Sequence, residues 1–217
     1  MENIYIYGCG GVGNELAEML LDSKKYNLLG FIDDNPKIDV NMGLKCLRFD
    51  ELMCEKDKTS FCIVISIGEP FVREVLSKKI IDNGFKEAIL DFSNHYNPKY
   101  SKVDCGTILH LNSYISINAI LGRSCLINKG AIVGHDCNLG DFCVLSPSVT
   151  IGGNVTIGNN TFIGTGACIR NGIRIGRNAI IGMGSVVVKD VDDGDVVVGN
   201  PARYIRKNDS HIVFGKK

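Results

Sequence analysis

The chain has 217 residues, enough for one large domain or two modest ones, and its 24 Lys+Arg balance 24 Asp+Glu for a formal charge of zero. That balance argues against a binding mode driven mainly by nucleic-acid phosphates or an anionic membrane, and apolar runs of only a few residues exclude a membrane-spanning helix. Glycine is in excess at 25 residues, while proline stands at five and tryptophan is absent; against a usual glycine share near ~7%, this composition points to many tight backbone turns rather than to disorder or collagen.

The first segment, MENIYIYGCGG, carries an acid at its second residue and runs straight into glycines, unlike a secretory signal peptide. Nine cysteines (9, 46, 54, 62, 105, 125, 137, 143 and 168) are odd in number and show no Cys-x-x-Cys spacing. Buried thiols in a reducing cytoplasm are therefore expected, rather than disulfides or a zinc site. The four histidines (95, 110, 135 and 211) are too scattered to suggest a metal cluster.

In chain order, Ile4–Tyr7 reads as a strand, and Gly8-Cys9-Gly10-Gly11-Val12-Gly13 opens an amphipathic helix through about Lys25. Leu28–Ile32 is a second strand ending in Asp33-Asp34. Phe61–Ile67 is a third, and Pro70–Asn83 a second long helix stopping at Gly84. Strands alternating with helices indicate a small parallel α/β domain over residues 1–97, with the junction at Asn94–Tyr100 around Pro98. Gly8, Gly10 and Gly13 satisfy a dinucleotide fingerprint, with Asp33 twenty residues beyond the last glycine. Phosphates would sit at the helix N-terminus, where free N–H groups and the dipole favour anions. About 95 residues supply only half of a full dinucleotide fold, which suits a mononucleotide better than NAD. The bland alternative is that these glycines only permit a tight strand-to-helix turn.

From Val103 onward, every sixth residue is aliphatic: Leu109, Ile115, Leu121, Ile127, Val133, Leu139, Leu145, Ile151, Ile157, Ile163, Ile169, Ile175, Ile181 and Val187. Chance yields such a run with odds on the order of one in 10⁸. Two residues before each aliphatic lies a small or compact residue (Ser113, Ala119, Cys125, Ala131, Cys137), and one residue after it glycine is frequent (Gly122, Gly134, Gly140, Gly152, Gly158, Gly164, Gly176, Gly182). A period of six excludes a helix. It suits a coil of short strands with an inward aliphatic on each side, three sides of six residues per turn, and roughly five coils stacked over residues 98–217.

This repeat resembles the hexapeptide family, whose members fold as left-handed parallel β-helices and are mostly acyltransferases; Val198-Gly199-Asn200-Pro201-Ala202-Arg203 resembles the family's closing signature. The α/β domain followed by hexapeptide repeats is similar to the bacterial sugar O- and N-acyltransferases, including the nucleotide-amino-sugar N-acetyltransferase branch. The expected architecture is thus a half-Rossmann-like α/β domain followed by a left-handed parallel β-helix. By this resemblance, Gly8, Gly10, Gly11, Gly13, Asp33 and Asp34 hold the UDP or dTDP part of an activated amino sugar. The family's catalytic motif is matched by His135-Asp136-Cys137-Asn138-Leu139-Gly140-Asp141-Phe142, which makes His135 the general base and Asp136 its orienting acid. On placement alone, His135 and Asp136 could equally be surface and corner residues.

Asn128 matches a family asparagine near the acceptor, although a turn-stabilising role explains it equally well. The resemblance lays acetyl-CoA along Gly153, Gly166, Ala167, Gly184 and Ser185, with Arg203, Arg206 and Lys207 near its phosphates, and implies a homotrimer with donor sites between neighbours. No metal is expected. Two departures stand out: Val12 stands where several amino-sugar members carry a histidine, and Val144 where such members can carry a second. An O-acetyltransferase of a free sugar such as sialic acid, and a non-catalytic sugar-nucleotide binding protein, are the alternative readings. A zinc hydratase on the same helix needs three zinc histidines, which His110 and His135 do not supply.

Overall fold

A computed structural model describes residues 1–36, 39–54, 57–93, 95–97 and 99–214. Of the junction expected at 94–100, Asn94 and Pro98 lie outside the described residues. The chain divides into two compact units, Met1–Gly68 with Val75–Ala88, and Glu69–Glu74 with Ile89–Lys217.

The first unit contains β1 (Glu2–Tyr7), α1 (Gly11–Leu21), β2 (Tyr26–Ile32), β3 (Val40–Asn41), β4 (Leu44–Leu47), α2 (Phe49–Leu52), β5 (Cys62–Ile65), most of α3 (Pro70–Asp82) and β6 (Lys86–Glu87). The sheet order is β3-β4-β2-β1-β5-β6, with every pairing parallel except β3 with β4. Ile4, Ile6, Leu16, Ile32, Ile63 and Ile65 are fully buried and form its core. Helix α1 ends at Leu21, short of Lys25, because the Ser23 hydroxyl oxygen accepts the Lys25 and Tyr26 amides (3.1 and 3.4 Å) and turns the chain into β2. The β3–β4 hairpin was not anticipated. Its strands are very short, and its turn residues Met42 and Gly43 both have positive φ (49° and 78°), the geometry of a two-residue hairpin turn.

The second unit is a left-handed parallel β-helix of two-residue strands. Its coils repeat every eighteen residues, so Leu109, Ile127, Leu145, Ile163 and Ile181 stack in register up one side. One flat side runs through Tyr114–Ile115, Ile132–Val133, Thr150–Ile151, Cys168–Ile169 and Val186–Val187. A second runs from Lys102–Val103 to Arg174–Ile175. The third is extended by Leu90–Asp91 at one end and by Asp195–Val198 and Arg203–Lys207 at the other. All the repeat aliphatics from Leu109 to Val187 are at most 4% exposed, and Val103 packs partly buried against them. Burying each such side chain contributes about 1.5–3 kcal/mol, which explains the unbroken period.

The glycines do not act as anticipated. Gly122, Gly134, Gly152 and Gly164 have no positive φ; a Cβ on Gly134 would lie 2.6 Å from the Gly152 carbonyl carbon, and one on Gly164 2.6 Å from the Met183 nitrogen. They are glycine so that successive coils can approach. The left-handed residue falls three positions after each aliphatic, and from Asn112 to Gly184 it is Asn, Ser, Asp, Phe or Gly, most often Asn. The compact residues two before the aliphatic also have a second use. Thr107, Cys125, Cys137, Cys143 and Thr161 donate from their side chains to the backbone carbonyls of Gly122, Gly140, Gly152, Gly158 and Gly176, at 2.7–3.2 Å. A buried carbonyl left unmet costs about 1–3 kcal/mol, so Cys and Thr serve here where Ala only fills space. Four cysteines are buried, Cys54 and Cys168 are exposed, and none is bonded to another among the described residues.

Candidate active site

Each unit presents one concentration of functional groups. In the first, β1 ends at Tyr7 and Gly8 turns sharply (φ 114°), its amide bonded to the Ile32 carbonyl at 2.8 Å. The Ser66 hydroxyl lies 2.9 and 3.0 Å from the Tyr7 and Gly8 carbonyls, and a Cβ on Gly8 would come within 2.7 Å of it. A Cβ on Gly13 would collide with the Gly8 carbonyl. These two glycines are therefore required by the turn itself.

Gly10 and Gly11 are not. A Cβ on either meets nothing within 4 Å, and neither has a positive φ. They stand at the N-terminus of α1, where no N-cap side chain takes up the first-turn amides. Bare backbone with approach room at a helix N-terminus is the arrangement that admits a phosphate.

The two acids diverge. Asp33 stays with the glycine turn, accepting the Cys9 amide at 3.4 Å and the Asn35 amide at 3.0 Å. Asp34 turns away to Lys79 Nζ (2.8 Å to both oxygens) and the Tyr7 hydroxyl (2.7 Å). Partial burial alone would raise the Asp34 pKa; the hydrogen bonds from Lys79 and Tyr7 outweigh it and hold the carboxyl below its ordinary value. Burial and the same carboxylate push the Tyr7 phenol far up. Asp34 also edges a cavity of about 380 Å³ lined with Arg48, Phe49, Asp50, Met53, Lys79 and Asn83. Sequence reasoning named none of these partners, because nothing in the local pattern around Lys79 or Arg48 points to Asp34.

In the β-helix, His135 and Asp136 occupy the corner between the first and second flat sides. Asp136 takes the left-handed conformation (φ 58°), which brings its carboxylate beside the preceding ring: His135 Nδ1 lies 2.7 Å from Asp136 Oδ2. An ionised carboxylate only accepts, so Nδ1 carries the proton and Nε2 is the free lone pair. The hydrogen bond from His135, followed by one from Asn118, holds the Asp136 carboxyl below its ordinary range. Both side chains are about half exposed. Gly153, one coil further, underlies the ring: the three atoms nearest a Cβ built there are all His135 imidazole atoms.

The remaining expected residues scatter. Asn128, Gly166 and Gly184 share the other corner flanking the first flat side, where Asn128 Oδ1 accepts the Lys129 amide (2.8 Å) and both glycines have positive φ. The Ala167 and Ser185 side chains are fully buried inside the coil, and Ser185 Oγ accepts the Gly199 amide at 3.1 Å. Arg203 is exposed on the closing strand, donating to the Ala202 carbonyl. Val144 lies buried on the third side between Leu126 and Phe162, away from the His135 corner of its own chain. Among the described residues, no group of three or more His, Cys, Asp or Glu is placed to hold a metal, and no helix is long and apolar enough to cross a membrane.

An α/β unit followed by a β-helix of hexapeptide coils, with a His–Asp pair at one corner, is the architecture of the hexapeptide acyltransferases. The family described as PglD N-terminal domain matches residues 3–80; hexapeptide families match 130–162 (hexapeptide repeat of succinyl-transferase) and 154–189 (bacterial transferase hexapeptide). Among solved structures, perosamine N-acetyltransferase from Caulobacter crescentus, in complex with CoA and GDP-perosamine, is similar at 27% identity and TM-score 0.86, over 95% of this chain and 98% of that one. The acetyltransferase domain of PglB from Neisseria gonorrhoeae, in complex with acetyl coenzyme A, shares 29% identity at TM-score 0.86, over 94% and 99%. WeeI from Acinetobacter baumannii shares 28% at TM-score 0.78, over 94% and 100%. No curated protein sequence matches the chain. The chain thus combines a PglD-type N-terminal domain with hexapeptide repeats, as the sugar acetyltransferases it resembles do, and is an acetyltransferase.

Proposed function

We propose that the chain transfers the acetyl group of acetyl-CoA to the amine of a nucleotide-linked amino sugar. The observation that carries the proposal is the 2.7 Å His135–Asp136 pair on an exposed corner with Nε2 free. In the reaction, the neutral sugar amine attacks the thioester carbon, and Nε2 takes the proton the nitrogen must lose. Asp136 holds the ring and favours the imidazolium so formed. Collapse of the tetrahedral adduct expels the CoA thiolate, which the imidazolium can reprotonate. With Val144 in place of a histidine, a backbone N–H or a group from another subunit polarises the acetyl carbonyl.

Gly10 and Gly11 receive the diphosphate, a role supported by the room above them. UDP and dTDP remain the nucleotides implied by the resemblance, and the GDP-sugar bound by the Caulobacter relative adds guanine to the series. Acetyl-CoA lies along the corner of Gly166 and Gly184 towards Arg203, Arg206 and Lys207. Within one chain, the whole first flat side separates that corner from His135. A homotrimer that sets one copy's His135 corner beside a neighbour's Gly166–Gly184 corner would reunite base and donor. Exposed Tyr114, Ile117, Ile120 and Ile132 around the His135 corner supply apolar surface for such a contact.

The test measures thiol release from acetyl-CoA with UDP-, dTDP- and GDP-linked 4-amino sugars and with free sialic acid. Turnover with an amino-sugar nucleotide is expected, and His135→Ala should lower kcat by about 10²–10⁴. Near-normal turnover in that variant, or turnover confined to the free sugar, would overturn the reading.

A further inference from the structure

The second oxygen of Asp136 is also held. Asn118 Nδ2 lies 2.9 Å from Asp136 Oδ1, while Oδ2 faces the imidazole. The carboxylate is an acceptor on both oxygens, so the amide nitrogen, not the amide oxygen, must face it. Asn118 sits one coil below Asp136, at the equivalent left-handed corner position (φ 61° against 58°). That backbone does not demand asparagine: the same position elsewhere in the coil is held by glycine at 130, 166, 172 and 184 and by serine at 124 and 148. The particular consequence of asparagine at 118 is the bond to Asp136.

A carboxylate gripped at one oxygen can rotate about its side-chain bonds; gripped at both, it presents a fixed oxygen to Nδ1. We propose that Asn118 is a positioning residue for acetyl transfer, fixing Asp136 so that the His135 imidazole is held with Nε2 towards the acceptor. This inference rests on His135 being the base.

The experiment is a set of variants of the full chain assayed by thiol release and thermal melting. Asn118→Gly keeps a corner the backbone accepts and deletes only the amide. It should lower kcat about 10–150-fold, the worth of one hydrogen bond to a charged group, with KM for both substrates and the melting temperature close to wild type. Asn118→Asp places a second carboxylate against Asp136. The added negative charge favours the imidazolium, so the acidic limb of the kcat/KM–pH profile should move to higher pH. In His135→Ala, adding Asn118→Gly should cost nothing further, because its effect passes through the ring.

Wild-type kcat and pH profile in both Asn118 variants would overturn the inference while leaving the base in place. So would a fall in kcat matched by a fall in melting temperature with the pH profile unmoved. An active His135→Ala variant would overturn the base assignment and, with it, this inference.

Discussion

Replacing Gly153 with alanine tests the geometry around His135 most directly. A Cβ at this position would stand 2.5 Å from His135 Cε1 and 3.0 Å from Cδ2. Ordinary carbon contacts are about 3.5–4.0 Å, so the ring must move by roughly 1 Å. Gly153 has no positive φ, so alanine introduces no backbone strain, and the half-exposed ring has solvent to move into. The stability change is therefore small, within about 1 kcal/mol, and loss of unfolded-chain entropy partly offsets it. The 2.7 Å Nδ1–Asp136 bond does not survive that displacement. A 1 Å misplacement of a reacting group costs about 10²-fold in rate. Thiol-release kinetics with an amino-sugar nucleotide should show kcat lowered about 100-fold with little change in melting temperature. A variant with wild-type kcat would refute the claim that the ring depends on this glycine. A melting temperature lowered by many degrees would refute the claim that the ring is free to yield.

The glycine turn separates by position. Gly11→Ala should leave the melting temperature unchanged while weakening nucleotide-sugar binding in calorimetry at least several-fold, because its methyl group occupies the approach path of a phosphate and touches nothing of the protein. Gly13→Ala should instead lower the melting temperature, because its methyl group meets the Gly8 carbonyl. Equal effects at the two positions would remove the argument for a ligand above Gly10 and Gly11.

The Lys79–Asp34 pair predicts a pH signature. The folded Asp34 pKa lies below its unfolded value of about 3.9, so the pair's contribution is present above that pH and is lost as pH falls through the lower, folded value. Lys79→Met should cost only about 0.2–1 kcal/mol at pH 7, since both side chains are at least a third exposed. Urea melts of the two proteins should converge below pH 4; a difference that persists there would assign the effect to the Lys79 ammonium over the Phe49 ring, 4.4 Å from its centroid, instead.

Much of this architecture was legible in the residues alone. The aliphatic period of six specified an eighteen-residue coil, because a side chain that must face inward on every flat side admits no other spacing. The strand–glycine–helix order at Gly8–Gly13 likewise specified an α/β opening with a tight strand-to-helix turn, since backbone chemistry there is local. The β3–β4 hairpin escaped notice because two-residue strands leave no alternation to read.

What the corner residues do was hidden for a different reason. Whether a glycine supplies a left-handed turn or clearance for the next coil depends on atoms eighteen residues away, which is why Gly134 looked like a corner and Asn118 like nothing in particular. Asp33 and Asp34 are adjacent in the chain, yet only the tertiary packing, which brings Tyr7 from β1 and Lys79 from α3 to one of them, gives the two carboxylates separate fates. The sequence by itself determined the coil and its period, and through its resemblance to a known motif it singled out His135 and Asp136. The tertiary structure alone decided what holds that pair, because Asn118 and Gly153 reach it through the stacking of coils and not through any local pattern.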